Sequence, residues 1–235
     1  MLDRIWQDVT GTQPPPGEGS VLATALVALA LVLVPPAWQV ARHVVTIAHE
    51  GAHGVAALVS GRRLSGIRLH SDTSGLTVSR GRCTGPGMVL TAFAGYIGPA
   101  LLGLGGALLL REGPALALLW LAVLLLALLL LQIRNFFGLW IVALANAGVG
   151  AVTWWGSDAA QSLAAYTGTW FLLLAAPRPV LELQQLRRAG QARDSDADLL
   201  ARITPLPGIV WVLVLLLVTL GCLLQGARWL WMGAG

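Results

Sequence analysis

The chain is dominated by apolar runs that are separated by short polar segments. Seven runs have the length that an α-helix needs to cross a bilayer, roughly 17 to 25 residues. They cover residues 20–36, 37–60, 87–110, 114–133, 136–153, 160–176 and 207–225. Only 11% of the residues are charged, against about a quarter in a typical soluble domain. The sequence therefore predicts an all-α polytopic membrane protein with about six or seven transmembrane helices.

The remaining composition narrows the class of protein further. Residues 1–19 are interpreted as a short loose tail, and residues 20–235 as a single integral-membrane domain. The net charge of +4 comes from arginines that form no patch interleaved with aromatic residues, so no nucleic-acid partner is expected. Cys83 and Cys222 lie far apart and outside any CxxC pattern. They therefore indicate neither a thiolate zinc site nor a disulfide framework.

The arginines predict the orientation of the chain. We place the N-terminus in the cytoplasm and let the sides alternate through seven spans. Twelve arginines then lie on the inner side, and three, Arg42, Arg111 and Arg228, on the outer side. An excess of basic residues is typical of cytoplasmic loops.

The segment 61–83 differs from the apolar runs around it. Ile67, Leu69, Leu76 and Val78 alternate with polar residues on either side of a turn-forming stretch, residues 71–75. Alternation of this kind around a turn predicts a β-hairpin. The hairpin would lie at the membrane, directly after the second apolar run.

The second apolar run carries His49, Glu50 and His53 at its centre, in the pattern HExxH. Ionisable groups inside a span are costly and by default mark a functional site. Positions i and i+4 share one face of a helix, so both imidazoles can bind one zinc ion. Glu50 can take a proton from a water molecule that the metal activates. The alternative is a helix whose histidines only hydrogen-bond to neighbouring spans.

The position of the motif favours some third ligands over others. His53 lies about seven residues, roughly 10 Å, before the inner end of its run, so the site is expected nearer the cytoplasmic face. A catalytic zinc ion usually has three protein ligands. The acidic candidates near spans are Asp158, Glu182, Asp194, Asp196 and Asp198. Asp158 falls on the outer side and is disfavoured, whereas the others lie in the inner segment 177–206.

Two other histidines and the late carboxylates have simpler interpretations. His43 lies too far around the helix to share a metal with His49, and His70 is expected at the surface of the hairpin. Ser195 is predicted to cap a short helix. Carboxylates in the first turn of that helix would then interact favourably with its dipole, without any role as ligands.

Several motifs together resemble one family. They are HEGAHG in a span, the hairpin that follows, GYIGP (95–99), RNFFG (134–138) and SDADLLARITPLPGIVW (195–211). The set is similar to the site-2 protease family of intramembrane zinc metalloproteases, and looks closest to its small bacterial branch without a PDZ domain. Better-known members carry the third ligand in a Leu-Asp-Gly triplet, which this chain lacks. In this branch Ser-Asp-Ala takes that place, which points to Asp196, with Asp198 and then Asp158 as fallbacks.

The resemblance implies a function. It implies one Zn²⁺ per chain, held by His49, His53 and Asp196, and a metalloendopeptidase that cuts within or near the transmembrane segments of membrane-protein substrates. It also implies a multi-pass protein of the bacterial inner membrane. The rival hypothesis is a non-proteolytic membrane regulator, or a metal-binding protein with a protease-derived fold.

Two further roles follow with their alternatives. The hairpin would hold a substrate by β-strand addition, or its five arginines would rest on anionic lipid headgroups. Asn135 would position a substrate carbonyl or an oxyanion, or would pack at the entrance of a span.

Overall fold

A computed structural model describes residues 2–191 and 195–232 of the chain. Within these ranges the chain forms ten helices and one two-stranded sheet. The helices are α1 (Leu2–Thr10), α2 (Glu18–Leu33), α3 (Pro35–Val59), α4 (Pro86–Glu112), α5 (Ala115–Leu130), α6 (Phe136–Trp155), α7 (Asp158–Ala175), α8 (Pro177–Arg188), α9 (Asp196–Ile203) and α10 (Gly208–Met232). The strands are β1 (Arg63–Leu69) and β2 (Gly75–Arg80).

The predicted fold class is confirmed. Each of the seven apolar runs is helical, as α2 to α7 and α10. Among the described residues, α4, α6 and α10 are each long and apolar enough to cross a membrane, and α2 with α3 forms a fourth candidate that is bent by 100°. Helix α5 is apolar but shorter, with 16 residues. The chain is therefore a mostly helical, polytopic membrane protein with a hairpin after the HExxH helix.

The interpretation of residues 1–19 as a loose tail is wrong for residues 2–10, which form α1. The guanidinium of Arg4 lies 4.5 Å from the ring centre of Trp154 and donates a hydrogen bond to that residue's carbonyl. The indole of Trp120 donates to the Asp8 carboxylate at 3.2 Å. These partners on α5 and α6 hold a segment whose own sequence gives only a weak structural signal.

The predicted alternation of sides is wrong at the start of the chain. The backbone N–H of Gln13 donates to Gly113 at 3.0 Å, and its side chain donates to Gln161 at 3.2 Å. The segment before α2 therefore lies at the same end of the bundle as the connections α4–α5 and α6–α7, which we call the distal end. The prediction had placed these segments on opposite sides. It failed because α2 and α3 meet at Val34 in a 100° bend and not in a hairpin reversal.

The junction of α2 and α3 is fixed by one carboxylate. Glu182 on α8 accepts from Arg42 at 3.3 Å, from Arg178 at 3.0 Å and from the indole of Trp38 at 3.2 Å. Arg178 also bonds to the carbonyl of Val32 at the end of α2. Since Arg42 and Arg178 share one partner, their assignment to opposite sides is also wrong. Exchanging Arg42 and Arg4 between the two sides leaves the predicted distribution of twelve and three arginines unchanged, with Arg193 outside the described residues.

Helix α4 packs against α3, α7 and α10 through small residues. Gly95, Pro99, Gly103 and Ala107, which recur at four-residue steps, are all buried. Gly98 lies on the side facing α3, where an added Cβ would be 2.3 Å from the Cβ of Ala52. The two backbones can approach this closely only because no side chain lies between them.

The predicted hairpin is confirmed. Strands β1 and β2 pair antiparallel from Arg63 opposite Arg80 to Leu69 opposite Gly75, with a bulge between Leu64 and Gly66. The other edge of β1 is also occupied. The N–H of Ile67 donates to Gln132 at 2.8 Å and its carbonyl accepts from Arg134 at 2.9 Å, in a short parallel bridge. Among the described strands, β2 therefore provides the free edge of the sheet.

The packing of α4 on α3 predicts different effects for two glycines on the same helix. Gly98→Ala should destabilise the protein by about 1–3 kcal/mol, because the new methyl group overlaps Ala52. Gly105→Ala is the matched control, since an added Cβ there meets nothing within 4 Å and alanine favours a helix. Thermal unfolding in detergent measures both variants. Equal midpoints for the two variants would contradict this account of the α3–α4 contact.

Candidate metal centre

The three residues that the family resemblance assigns as ligands lie together. His49 and His53 are one turn apart on α3, and their Nε2 atoms are 3.0 Å apart. Asp196 begins α9 and points its Oδ2 towards both rings, 3.4 Å from Nε2 of His49 and 3.2 Å from Nε2 of His53. These three side chains form the group that can hold a metal ion among the described residues. We call them the ligand triad.

The spacing within the triad fits a zinc ion. Zinc binds imidazole nitrogen and carboxylate oxygen at about 2.0–2.2 Å, so two ligands of a tetrahedral site lie about 3.3 Å apart. The three distances of 3.0, 3.2 and 3.4 Å lie around this value. Two nitrogens and one oxygen also form a ligand set typical of catalytic zinc, which leaves the fourth position open. The residues present therefore fit the metal that the motif implies.

A backbone carbonyl on α4 orients the second imidazole. Nδ1 of His53 lies 2.7 Å from the carbonyl oxygen of Thr91. A carbonyl only accepts, so Nδ1 carries the proton and Nε2 keeps its lone pair for a metal. As a whole residue, His53 is 9% exposed. Burial and this hydrogen bond together fix both its tautomer and its direction.

The GYIGP motif has a physical role at this place. An added Cβ at Gly95 would lie 2.3 Å from Nε2 of His53 and 2.7 Å from Cε1 of His49. Any larger residue would therefore occupy the space of the imidazoles. Tyr96, the next residue, packs its ring edge-on against His49 with centroids 4.9 Å apart. This stretch of α4 forms one wall of the site.

Helix α9 is anchored so that its first residue faces the histidines. As predicted, Ser195 caps the helix: its Oγ accepts from the N–H of Asp198 at 3.3 Å and donates to that carboxylate at 2.7 Å. The other carboxylate oxygen of Asp198 is paired with Arg187 on α8. Burial alone would raise the pKa of Asp196, but the neighbouring imidazoles of His49 and His53 hold that pKa below its ordinary value.

The side chain of Glu50 extends from α3 towards the hairpin. Glu50 is 5% exposed, and its Oε2 accepts from the hydroxyl of Thr77 at 2.6 Å. The backbone of Gly75 packs against the same carboxylate. Sequence reasoning did not identify Thr77 or Gly75 as site residues. The only signal was the alternation along β2, which turns Thr77 to the less exposed face.

The other acidic candidates have different partners or positions. Asp158 is exposed in the first turn of α7 at the distal end. Glu182 is bound at the α2–α3 junction, and Asp198 is paired with Arg187. Asp194 lies outside the described residues.

The two remaining histidines lie outside the triad. His43 packs its ring against Phe137, with centroids 5.6 Å apart. His70 is at the hairpin turn, where Nδ1 lies 3.3 Å from the hydroxyl of Ser74. Both positions agree with the roles outside the metal site that we predicted for these histidines.

Asn135 uses its side chain to extend the sheet. Its Oδ1 accepts from the N–H of Leu69 at 3.1 Å, and its Nδ2 donates to the carbonyl of Leu69 at 2.6 Å. The amide therefore continues the bridge that residues 132–134 make with β1. These contacts agree with the packing alternative, and a role in substrate positioning stays a prediction.

The anchoring of α9 predicts that Arg187 affects metal binding without touching the metal. Arg187→Gln should weaken Zn²⁺ binding about 10- to 100-fold, the usual cost of losing a partner that orients a ligand. Arg188→Gln removes the same charge from the exposed neighbouring position and should leave the affinity unchanged. Competition with a chromophoric chelator measures both dissociation constants. Equal affinities for the two variants would refute the anchoring role.

Comparison with known proteins agrees with the predicted family and fold. A family model described as Peptidase M50B-like matches residues 22–226, a range that includes α3, the hairpin and α9. No curated protein and no solved structure matches the chain. The match covers well over half of the sequence and confirms the resemblance to site-2 proteases. The chain therefore belongs to the Peptidase M50B-like family, with a domain of the site-2 protease type.

Proposed function

We propose that this protein is a zinc metalloendopeptidase that cleaves peptide bonds within or near the transmembrane segments of membrane proteins. The convergence of the ligand triad beside Glu50 carries the proposal. Family membership supports an intramembrane metalloprotease. The triad also lies among apolar helices, where ionisable side chains would be costly without a function.

Each site residue has a defined task in this reaction. His49, His53 and Asp196 would hold one zinc ion per chain. When bound, zinc polarises a carbonyl group and lowers the pKa of water from about 15.7 to about 7. The Glu50 carboxylate accepts a proton from the attacking water and later gives it to the leaving amine. Its burial keeps bulk water from competing for that proton.

The free edge of β2 is the proposed docking place for the substrate. A peptide bond in a helix is shielded, so a membrane helix must unwind before it is cut, and its backbone groups then need partners. Strand addition supplies them. Because β1 is occupied on both edges, a substrate strand would join β2, which also contacts Glu50.

The arginines of the hairpin support its other proposed partner, the lipid bilayer. Arg63 lies opposite Arg80 in the strand register, and Arg68 is exposed on the same hairpin. Like charges at opposed positions are unfavourable unless anions neutralise them. Anionic lipid headgroups are such a partner. Substrate docking would use the backbone edge of β2, whereas lipid contact would use the arginine side chains.

We propose a bacterial inner membrane as the location, with the site nearer the cytoplasmic face. The arginines of the hairpin and of α8 lie at the end of the bundle that carries the site, away from the distal end. Thr91, the partner of His53, is only five residues into α4, which corresponds to roughly 8 Å from that helix end.

The rival hypothesis is a non-proteolytic regulator or a metal-binding protein with the same fold. No contact among the described residues favours it, since the HExxH motif is complete and the triad has ligand geometry. It would be supported by bound metal without cleavage.

The ligand assignment predicts the metal content of single variants. Wild-type protein purified in detergent should contain about one zinc ion per chain, and Asp196→Ala should lose it, because two ligands hold zinc far more weakly than three. Asp158→Ala, at the distal end, should keep it. Elemental analysis of the three purified proteins measures the number of zinc ions per chain. Zinc retained by Asp196→Ala would refute the assignment, and no zinc in the wild type after supplementation would favour the non-proteolytic regulator over the metal-binding protein.

The role of Glu50 predicts a separation of metal binding from cleavage. Glu50→Gln should abolish cleavage and leave zinc bound, since glutamine keeps an oxygen for the Thr77 hydroxyl but cannot take a proton. Reporters anchored by single transmembrane helices, co-expressed with either form, reveal cleavage as shortened fragments in mass spectra. Fragments that persist with the Glu50→Gln form would refute the role of Glu50.

A further inference from the structure

The hairpin makes a short hydrogen bond with the carboxylate of Glu50, the proposed proton acceptor. The Oγ1 of Thr77 lies 2.6 Å from Oε2 of Glu50 and 3.0 Å from the backbone carbonyl of Glu50. A distance of 2.5–2.7 Å is typical of a hydroxyl that donates to an ionised carboxylate, and such bonds are about twice as strong as neutral ones. The carboxylate is therefore the stronger of the two acceptors.

The backbone of β2 confines the same carboxylate from a second direction. An added Cβ at Gly75 would lie 2.5 Å from both Cγ and Oε1 of Glu50. Glu50 is buried, so little water can replace these contacts. Two residues of one strand, two positions apart, therefore determine where the carboxylate points.

The hairpin has its own attachment to α3, independent of Glu50. The hydroxyl of Thr46 donates to the carbonyl of Thr73 at 2.9 Å, at the hairpin turn. Leu64 and Ile67 pack on Gly54, where an added Cβ would be 3.4 Å from each side chain. Attachment of the hairpin and orientation of Glu50 can therefore be tested separately.

We propose that Thr77 is a positioning residue, whose hydroxyl holds the Glu50 carboxylate in its reactive orientation and links it to the strand that receives the substrate. The inference rests on the proposed function and adds a residue to it. Strand β2 carries both the free edge of the described sheet and the Thr77 hydroxyl that binds Glu50. A peptide that pairs with β2 is thereby placed at a fixed distance from the group that moves the proton.

Three variants separate positioning from simple support of the fold. Thr77→Val keeps the shape and removes the hydroxyl, Thr77→Ser keeps the hydroxyl, and Thr46→Val removes the attachment at the turn. Thr77→Val should lower kcat about 10- to 100-fold with KM and zinc content unchanged. Thr77→Ser should restore most of kcat. Thr46→Val should change KM, or the thermal midpoint, more than kcat.

A second measurement is independent of activity. In a double-mutant cycle on thermal unfolding, Thr77→Val and Glu50→Ala should be non-additive, whereas Thr46→Val and Glu50→Ala should be additive. Additivity for Thr77, or a kcat of Thr77→Val equal to that of the wild type on a reporter that the wild type cleaves, would overturn the positioning role. Non-additivity in a protein whose wild-type form binds zinc and cleaves no reporter would instead overturn the proposed function.

Discussion

The close approach of α4 to α3 is the contact on which the rest of the site depends. Gly95 and Gly98 remove the side chains that would separate the two helices, so the carbonyl of Thr91 reaches His53. With Nδ1 occupied, Nε2 of His53 faces His49 and Asp196. The HExxH spacing alone places two imidazoles on one face, and the backbone of α4 lying against that face fixes the direction of His53 within the candidate metal site. The glycines of α4 thus shape this candidate site without providing a ligand atom.

Inside an apolar bundle every charged group needs a partner, and the partners here are specific. Glu182 holds the bend between α2 and α3, Asp198 holds α9, and Thr77 binds Glu50. Each of these carboxylates is thereby committed to a local task. Among the acidic candidates in the described residues, Asp196 is the carboxylate whose neighbours are both histidines of the motif. The partners of the other described carboxylates thus leave Asp196 as the candidate third ligand.

Much of this could be predicted from local sequence. Length and apolarity identified all seven long helices, alternation identified the hairpin, and the HExxH spacing placed His49 and His53 on one face. The cap at Ser195 followed from residue type. Asp196, however, required a family resemblance, because its approach to α3 depends on how α8, α9 and α10 pack. The predicted alternation of sides was wrong at the start of the chain. Pro35 and Pro36 indicate that a helix breaks there, but not the angle between α2 and α3. The contacts of Thr77 with Glu50 and of Leu69 with Asn135 join residues far apart in the sequence, and no local pattern predicts them.

The bridge between Ile67 and residues 132–134 leaves the small sheet with one open edge, that of β2. A lone hairpin has two open edges and can be extended on either side, by a useful partner or by an unwanted copy of itself. Here one edge is closed by the connection between α5 and α6, with the amide of Asn135 completing the closure. The remaining edge belongs to the strand that contacts Glu50. A further strand can therefore join this sheet at the β2 edge only. The closed edge of β1 prevents pairing at a position away from Glu50.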